Sequence, residues 1–200
     1  MRFSFIVFWC FIVIHVAAQP VSYKDEIKGY RSRNWVGLIT DPRTTLQPGD
    51  SIYLHYFPVK ESSKVFCEVE QLKDQQPLEM PTYSGQVKIF KRYALLHFTW
   101  KGKPMTLSAY QNLQLTSPLY SNHLFLPVKD LTSGKQTYEG GRYLDIRTTS
   151  IQNNKLLLDL NQLYNPWCAY SDGYNCPIPP PENHLPVFLK AGEKKFRKPH

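Results

Sequence analysis

The chain has 200 residues, a formal net charge of +8, 14% aromatic and 20% charged residues, and more prolines (16) than glycines (10). That length can bury the core of one ordinary domain without a disulfide lattice or structural metal, and the composition excludes collagen, coiled coil and wholesale disorder. A basic excess argues for a nucleic-acid or anionic-surface partner only when the folded domain carries it, so its distribution along the chain matters.

Residues 1–18 read as a cleavable secretory signal. Arg2 supplies the positive n-region, Phe3 to Val16 is a nearly unbroken apolar run, and Val16-Ala17-Ala18 places small residues for cleavage before Gln19. The run is shorter than the about 20 residues that span a bilayer, and Cys10 lies inside it rather than at a lipid-attachment position. The expected product is one β-rich domain over 19–200, exported to the periplasm or the extracellular space. It keeps Cys67, Cys168 and Cys176 and a net charge of +7. Of that charge, a basic C-terminal tail over 190–200 holds +4 and residues 19–189 only +3. So distributed, the charge does not argue for nucleic-acid binding. The tail reads as a solvated end or as a weak contact with an anionic surface.

A helix is predicted over 22–38, with Ser22 as N-cap and Asp25 and Glu26 in its first turn. Tyr23, Ile27, Tyr30, Trp35 and Leu38 fall roughly on one face. Pro42, Pro48 and Gly49 make 40–50 a loop. Strand patterns follow at 51–59, 64–72, 86–100, 103–110, 123–129, 142–148 and 155–160. No helices alternate with them. The fold class expected is therefore mainly β, an antiparallel sandwich or partly open barrel with an N-terminal α-helix.

One hairpin has a readable register. A two-residue turn at Lys101-Gly102 pairs Phe98 with Met105, Leu96 with Leu107 and Ala94 with Ala109 on an apolar face. His97 with Thr106, Leu95 with Ser108 and Tyr93 with Tyr110 fall on the other face, and Pro104 lies opposite Thr99.

Two segments carry candidate chemistry. In the first, Asp130 through Tyr138 to Gly140-Gly141-Arg142-Tyr143, two flexible amides beside a cation can hold a carboxylate, phosphate or sulfate. The competing reading is a glycine bulge with Arg142 paired to Asp130 or Asp145. The second runs from Asp159 to Pro186. It crowds Tyr164, Asn165, Cys168, Tyr170, Asp172, Cys176, Glu182, Asn183 and His184 into a proline-rich stretch suited to lining a small-molecule or glycan pocket. Cys168 and Cys176 admit a disulfide, the default for an exported protein. They also admit a metal site with His184, a nucleophilic thiol at Cys168 with His184 as base, or two inert thiols. Cys67, in a strand, reads as a small buried hydrophobe. No P-loop, dinucleotide fingerprint, Gly-x-Ser-x-Gly elbow or His-Glu-x-x-His motif occurs, so no cofactor is implied.

The ordered set Asp130-x-Thr132-x-Gly134, Gly140-Gly141-Arg142-Tyr143-Leu-Asp145, Tyr164-Asn165-Pro166-x-Cys168-Ala169-Tyr170, Cys176-Pro, Pro181-Glu182-Asn183-His184 and Ala191-Gly192-Glu193 resembles domain-of-unknown-function family 1684. Tyr56-Phe57-Pro58-Val59 and Leu96-His-Phe98 fit the same family, so the resemblance runs from about Tyr23 to Phe196. Glu139 departs from it, standing where relatives carry a small residue, and would compete for Arg142. The resemblance implies a widespread bacterial and archaeal domain, sometimes exported, with no established activity. It also implies that the cysteine pair occurs in relatives without an evident signal, which slightly raises the thiol and metal readings while the disulfide stays the default.

The leading functional expectation is binding of a small or extended polar ligand where the 130–143 and 164–184 loops meet. Arg142 would hold an anionic or hydroxyl group, Tyr164 and Tyr170 would stack, and Asn165, Glu182 and Asn183 would orient. One rival is a hydrolase using Cys168 with His184, or paired carboxylates among Asp130, Asp159, Asp172 and Glu182. Another is a structural envelope module without a pocket.

Overall fold

Ser22 ends the extended lead-in and caps the first helix, its hydroxyl accepting from the Asp25 amide. The computed structural model describes residues 21–198; the expected signal segment lies outside them. Helix α1 (Tyr23–Thr40) buries only Ile27 and Leu38 and is tethered largely by polar contacts. Tyr23 donates to Asp159 at 2.9 Å, Tyr30 donates to the Gln162 carbonyl at 3.0 Å, and the Arg31 guanidinium lies 4.2 Å over the Tyr56 ring. Among the described residues no helix is long and apolar enough to cross a membrane.

The strands are β1 (Lys64–Gln71), β2 (Pro77–Pro81), β3 (Val87–Trp100), β4 (Lys103–Asn112), β5 (His123–Asp130), β6 (Arg142–Arg147), β7 (Lys155–Asp159) and β8 (His184–Leu185). They form one curled antiparallel half-barrel in the order β6-β5-β4-β3-β1-β7, with β2 alongside β3 and the short β8 parallel to β5. One expected strand is absent and one observed strand, β2, is not among those expected. Residues 51–59 do not form a strand. Pro48 and the reciprocal bonding of Gln47 and Asp50 start a 3-10 helix over Pro48–Tyr53, and the chain beyond it makes a single bridge, Tyr56 to Glu193. β2 escaped notice because prolines bracket it. They are tolerated because β2 is an edge strand that pairs with β3 alone.

The β3–β4 hairpin has the expected register from Trp100 to Ala94, with positive φ at both Lys101 and Gly102. It then departs. The register shifts between Arg92 and Ala94, so Tyr110 pairs with Arg92 rather than with Tyr93. Tyr93 is the extra residue of a bulge and packs against the main core. The bulge reverses the alternation of β3. Ala94, Leu96 and Phe98 face the main core, whereas Phe90, also even-numbered, faces a second cluster on the opposite side with Tyr110, Phe125 and Tyr143.

The main core fills the face of the half-barrel lined by Val65, Leu96, Leu107, Leu126 and Leu144, and the C-terminal stretch completes it. Alternate residues Leu185, Val187, Leu189 and Ala191 are buried in that core while Pro186, Phe188 and Lys190 face solvent. The basic stretch 190–198 is thus stitched to the domain. Lys195 pairs with Glu139 at 2.9 Å and Lys198 with Asp50 at 2.8 Å.

Polar side chains hold this stretch where backbone pairing runs out. β4 and β5 share one ladder pair, Tyr110 with Phe125. Two residues along, Ser108 faces Pro127, which has no N–H to donate. The buried Asn183 side chain fills the gap. Its Oδ1 accepts from the Ser108 amide at 2.8 Å, and its Nδ2 donates to the carbonyls of Ser108 at 2.9 Å and Pro127 at 2.7 Å. Replacing Asn183 by Leu strands these three buried groups, each costing about 1–3 kcal/mol when unpaired. Urea unfolding of Asn183→Leu should show a loss of about 3 kcal/mol or more.

Candidate functional site

The second face of the sheet is aromatic. β5 alternates Leu124, Leu126 and Val128 into the core with His123 and Phe125 outward, and β6 alternates Leu144 and Ile146 inward with Tyr143 and Asp145 outward. Phe90 stacks on Phe125 with centroids 5.4 Å apart, and Phe125 meets the edge of Tyr143 at 4.7 Å. Across from these rings stand Trp167 and Tyr174, 5.0 Å apart, on the segment closed by the Cys168–Cys176 disulfide. Together they enclose a cleft of about 320 Å³.

Three polar features mark this cleft. The Asp145 carboxylate accepts from the Tyr164 hydroxyl at 2.9 Å and lies 2.8 Å from His123 Nε2. Burial, with Asp145 nearby, pushes the Tyr164 hydroxyl well above its ordinary range, so at neutral pH it is a protonated donor and no nucleophile. Arg43 grips Asp41 through two bonds of 3.0 Å and lies 4.6 Å over the Tyr174 ring. Lys88 has no ion-pair partner among the described residues; burial, then Arg43, lowers its pKa.

The sequence-predicted site residues are dispersed over several places. Tyr143 and Tyr164 line the cleft, and Tyr164 also borders, with Asn165 and Tyr170, a second cavity of about 220 Å³ beneath α1. Tyr138 and Tyr170 meet across a third hollow of about 610 Å³, where Glu139 and Asp172 also lie; the two loops therefore do converge. Asp130, Arg142 and Asn183 lie in the interior. Arg142 is fully buried, donates to Asp130 at 2.8 Å and to the carbonyls of Leu189 at 2.9 Å, Glu193 at 3.3 Å and Ala191, and lines none of these three hollows. Asp130 in turn accepts from the Thr132 and Leu189 amides.

The glycines before Arg142 serve packing. At Gly141, with φ +85°, an added Cβ would come 2.6 Å from the Val128 carbonyl oxygen. Glu139 pairs with Lys195 and does not compete for Arg142. Glu182 accepts from Tyr110 at 2.8 Å and from Arg92, away from the cleft.

The bond between Cys168 and Cys176 removes the thiol nucleophile and the thiolate metal site, and His184 Nε2 lies 2.9 Å from the Pro179 carbonyl oxygen. The four carboxylates weighed for hydrolysis do not share a cleft. Asp130 is held by Arg142, Asp159 by Tyr23, Glu182 by Arg92, and Asp172 borders the third hollow. No group of three or more His, Cys, Asp or Glu poised for a metal occurs among the described residues.

His123, Phe125, Arg43, Lys88, Trp167, Tyr174 and Glu193 line these hollows without being among the ligand residues expected from the sequence. The signal for His123, Phe125 and Asp145 was present in the period-two alternation of β5 and β6, whose outward residues are aromatic or ionisable instead of merely polar. Glu193 is marked in the sequence only by the Ala191-Gly192-Glu193 motif of the family resemblance. It is 2% exposed and accepts from the Asn165 amide at 3.0 Å and from Tyr170, and burial pushes its pKa up to about 7. A folded-state pKa above the ordinary carboxylate value makes a stability contribution that is complete at low pH and lost as pH rises. Between about pH 4.5 and 7 the wild type should lose about 3 kcal/mol relative to Glu193→Gln. Parallel urea titrations of the two proteins across that window check the difference.

Comparison with known proteins supports the same architecture. A solution NMR structure of an uncharacterised protein of Haloarcula marismortui is similar to this chain, with a TM-score of 0.59 and 25% identity over 86% of this chain and 97% of the other. No curated protein matches it. The model of the family described as protein of unknown function (DUF1684) matches residues 52–194, which takes in the half-barrel, all of the described cleft lining except Arg43, and the C-terminal stretch through Glu193, and the chain belongs to that family.

Proposed function

We propose that the domain is a binding module for a small ligand with a flat apolar body and an anionic group. The rings of Phe90, Phe125, Tyr143, Trp167 and Tyr174 would take the apolar body. Lys88, with Arg43 beside it, would take the anion. The observation that carries this reading is a half-buried cation without an acidic partner at an aromatic cleft. Burying Lys88 costs free energy unless an anion compensates it, and such clefts, with a few polar groups, are the usual form of small-molecule sites. Asp145, engaged by His123 and Tyr164, would orient ligand hydroxyl or amide donors. The protonated Tyr164 and the bonded cysteines favour binding over nucleophilic chemistry.

The probe 2-naphthoate, a planar aromatic carboxylate, should quench Trp167 fluorescence saturably and raise the melting temperature by mass action. Lys88→Ala should weaken its binding by about tenfold, the scale of one lost charge-assisted contact. Absence of saturable binding, or equal affinity in Lys88→Ala, contradicts the reading.

Export belongs to the same proposal. The Met1–Ala18 segment supports it, and so does the Cys168–Cys176 disulfide, a bond that persists mainly in oxidising compartments. A weak contact of residues 190–198 with an anionic surface would accompany it. Peptide and intact mass spectrometry of protein recovered from the native cell envelope or medium should show a chain beginning at Gln19, free or cyclised to pyroglutamate; a mature protein beginning at Met1 contradicts export by cleavage.

A further inference from the structure

The cavity beneath α1 is chemically unlike the aromatic cleft, although Asp145, Tyr164 and Trp167 line both. At about 220 Å³ it is bordered by Trp35 from the helix, by Tyr56 and Tyr170, and by Asn165 and Glu193. The two polar residues present unmet demand. Asn165 is 1% exposed, and its Nδ2 donates to the Lys194 carbonyl at 2.8 Å, but its buried Oδ1 has no donor. Glu193 receives only neutral donors, the Tyr170 hydroxyl and the Asn165 amide, and no Lys or Arg pairs with its carboxylate among the described residues. Arg142 reaches the backbone carbonyl of Glu193 at 3.3 Å, not its side chain.

A buried acceptor without a donor and a buried carboxylate without a cation, walled by aromatic rings, together define what fits. An anion would meet Glu193 and Asp145. A purely apolar guest would leave Asn165 Oδ1 unpaired, at a cost of about 1–3 kcal/mol. A positively charged N–H donor satisfies both groups and gains from the ring faces.

We propose that this cavity binds a small organic cation, a primary ammonium on a short apolar stem, with Glu193 as counter-ion, Asn165 Oδ1 as acceptor, and Trp35, Tyr56 and Tyr170 as walls. The site lies beyond the anion-binding cleft and does not depend on it.

The charged groups that face Glu193 come from several elements. α1 contributes Arg33, exposed at the cavity lining, and Arg31, occupied by the Tyr56 ring and the carbonyls of Phe57 and Asn161. β6 contributes Asp145 and the backbone-bound Arg142. Because burial pushes Glu193 up to about 7, binding at lower pH expels its proton and weakens, while an alkylammonium stays charged throughout.

The test uses isobutylammonium chloride, with isobutanol as neutral isostere, by calorimetry at pH 6 and pH 8 and by the NMR shift of the Asn165 side-chain amide. The wild type should bind the ammonium saturably, about tenfold tighter at pH 8 than at pH 6, with the Asn165 amide shifting along the same isotherm and no saturable binding of isobutanol. Glu193→Gln should lose about tenfold or more in affinity, and Trp35→Ala, which leaves the buried Ile27 and Leu38 of the helix intact, should lose several-fold. Absence of saturable ammonium binding at pH 8, equal affinity for isobutanol, or full affinity in folded Glu193→Gln overturns the proposal. Should Glu193→Gln fail to fold, equal wild-type affinity at the two pH values overturns it.

Discussion

The half-barrel has one weak seam, and a side-chain amide closes it. β5 cannot complete its ladder with β4 because Pro127 stands where an N–H is needed, opposite Ser108. Asn183 supplies the missing pairing by offering a donor and an acceptor in the spacing of a peptide group. What hangs on this seam is more than sheet continuity. Phe90, from β3, stands on one side of it, and His123, Phe125, Tyr143 and Asp145, from β5 and β6, on the other. Asn183 therefore joins the Tyr110–Phe125 pair and the Phe90–Phe125 stack in holding the two strand-built walls of the aromatic cleft together.

The same segment that delivers Asn183 also completes the core. From Leu185 to Ala191 it lays alternate residues onto the face that an open half-barrel would leave wet. Its backbone needs partners there, and the Arg142–Asp130 pair provides them, the guanidinium to three carbonyls and the carboxylate to the Leu189 amide. A buried pair of this kind is weak evidence for stability by itself but strongly resists loss of either partner. Its consequence is positional: it sets down Glu193 beneath α1, in contact with Tyr170 and Asn165.

Much of the fold was legible because the signals were local. Ser22 before Asp25 and Glu26 marks a helix start, and Lys101-Gly102 between apolar alternations marks a hairpin. Six of the seven expected strands are present. The failures have physical causes. The apolar alternation of residues 51–59 looks like strand, but Pro48 and Asp50 begin a 3-10 turn and no neighbouring strand offers a ladder. The bulge at Tyr93 leaves the composition of β3 unchanged, yet it exchanges the faces of every residue before it. The candidate site was legible only as a region. Tyr143, Tyr164, Asn165 and Tyr170 line cavities, whereas Arg142, Asp130 and Asn183 have the composition of a binding site and are interior struts. Sequence cannot separate these cases, because a polar side chain beside glycines can point to a ligand or to its own backbone.

The two hollows share Asp145, Tyr164 and Trp167 but differ in their other charged groups, Arg43 and Lys88 on the aromatic side and the buried Glu193, with exposed Arg33, on the helix side. Both hollows lie against the half-barrel whose β4–β5 seam Asn183 closes. The most direct measurement of that closure is native-state hydrogen exchange at the Ser108 amide in the wild type and in Asn183→Ala. If the Asn183 amide stands in for the missing backbone of Pro127, Ser108 exchanges only through global unfolding in the wild type. In the variant its protection then falls by well over the drop seen at Leu96 and Leu107. Equal loss at all three positions, or unchanged protection at Ser108, contradicts the account.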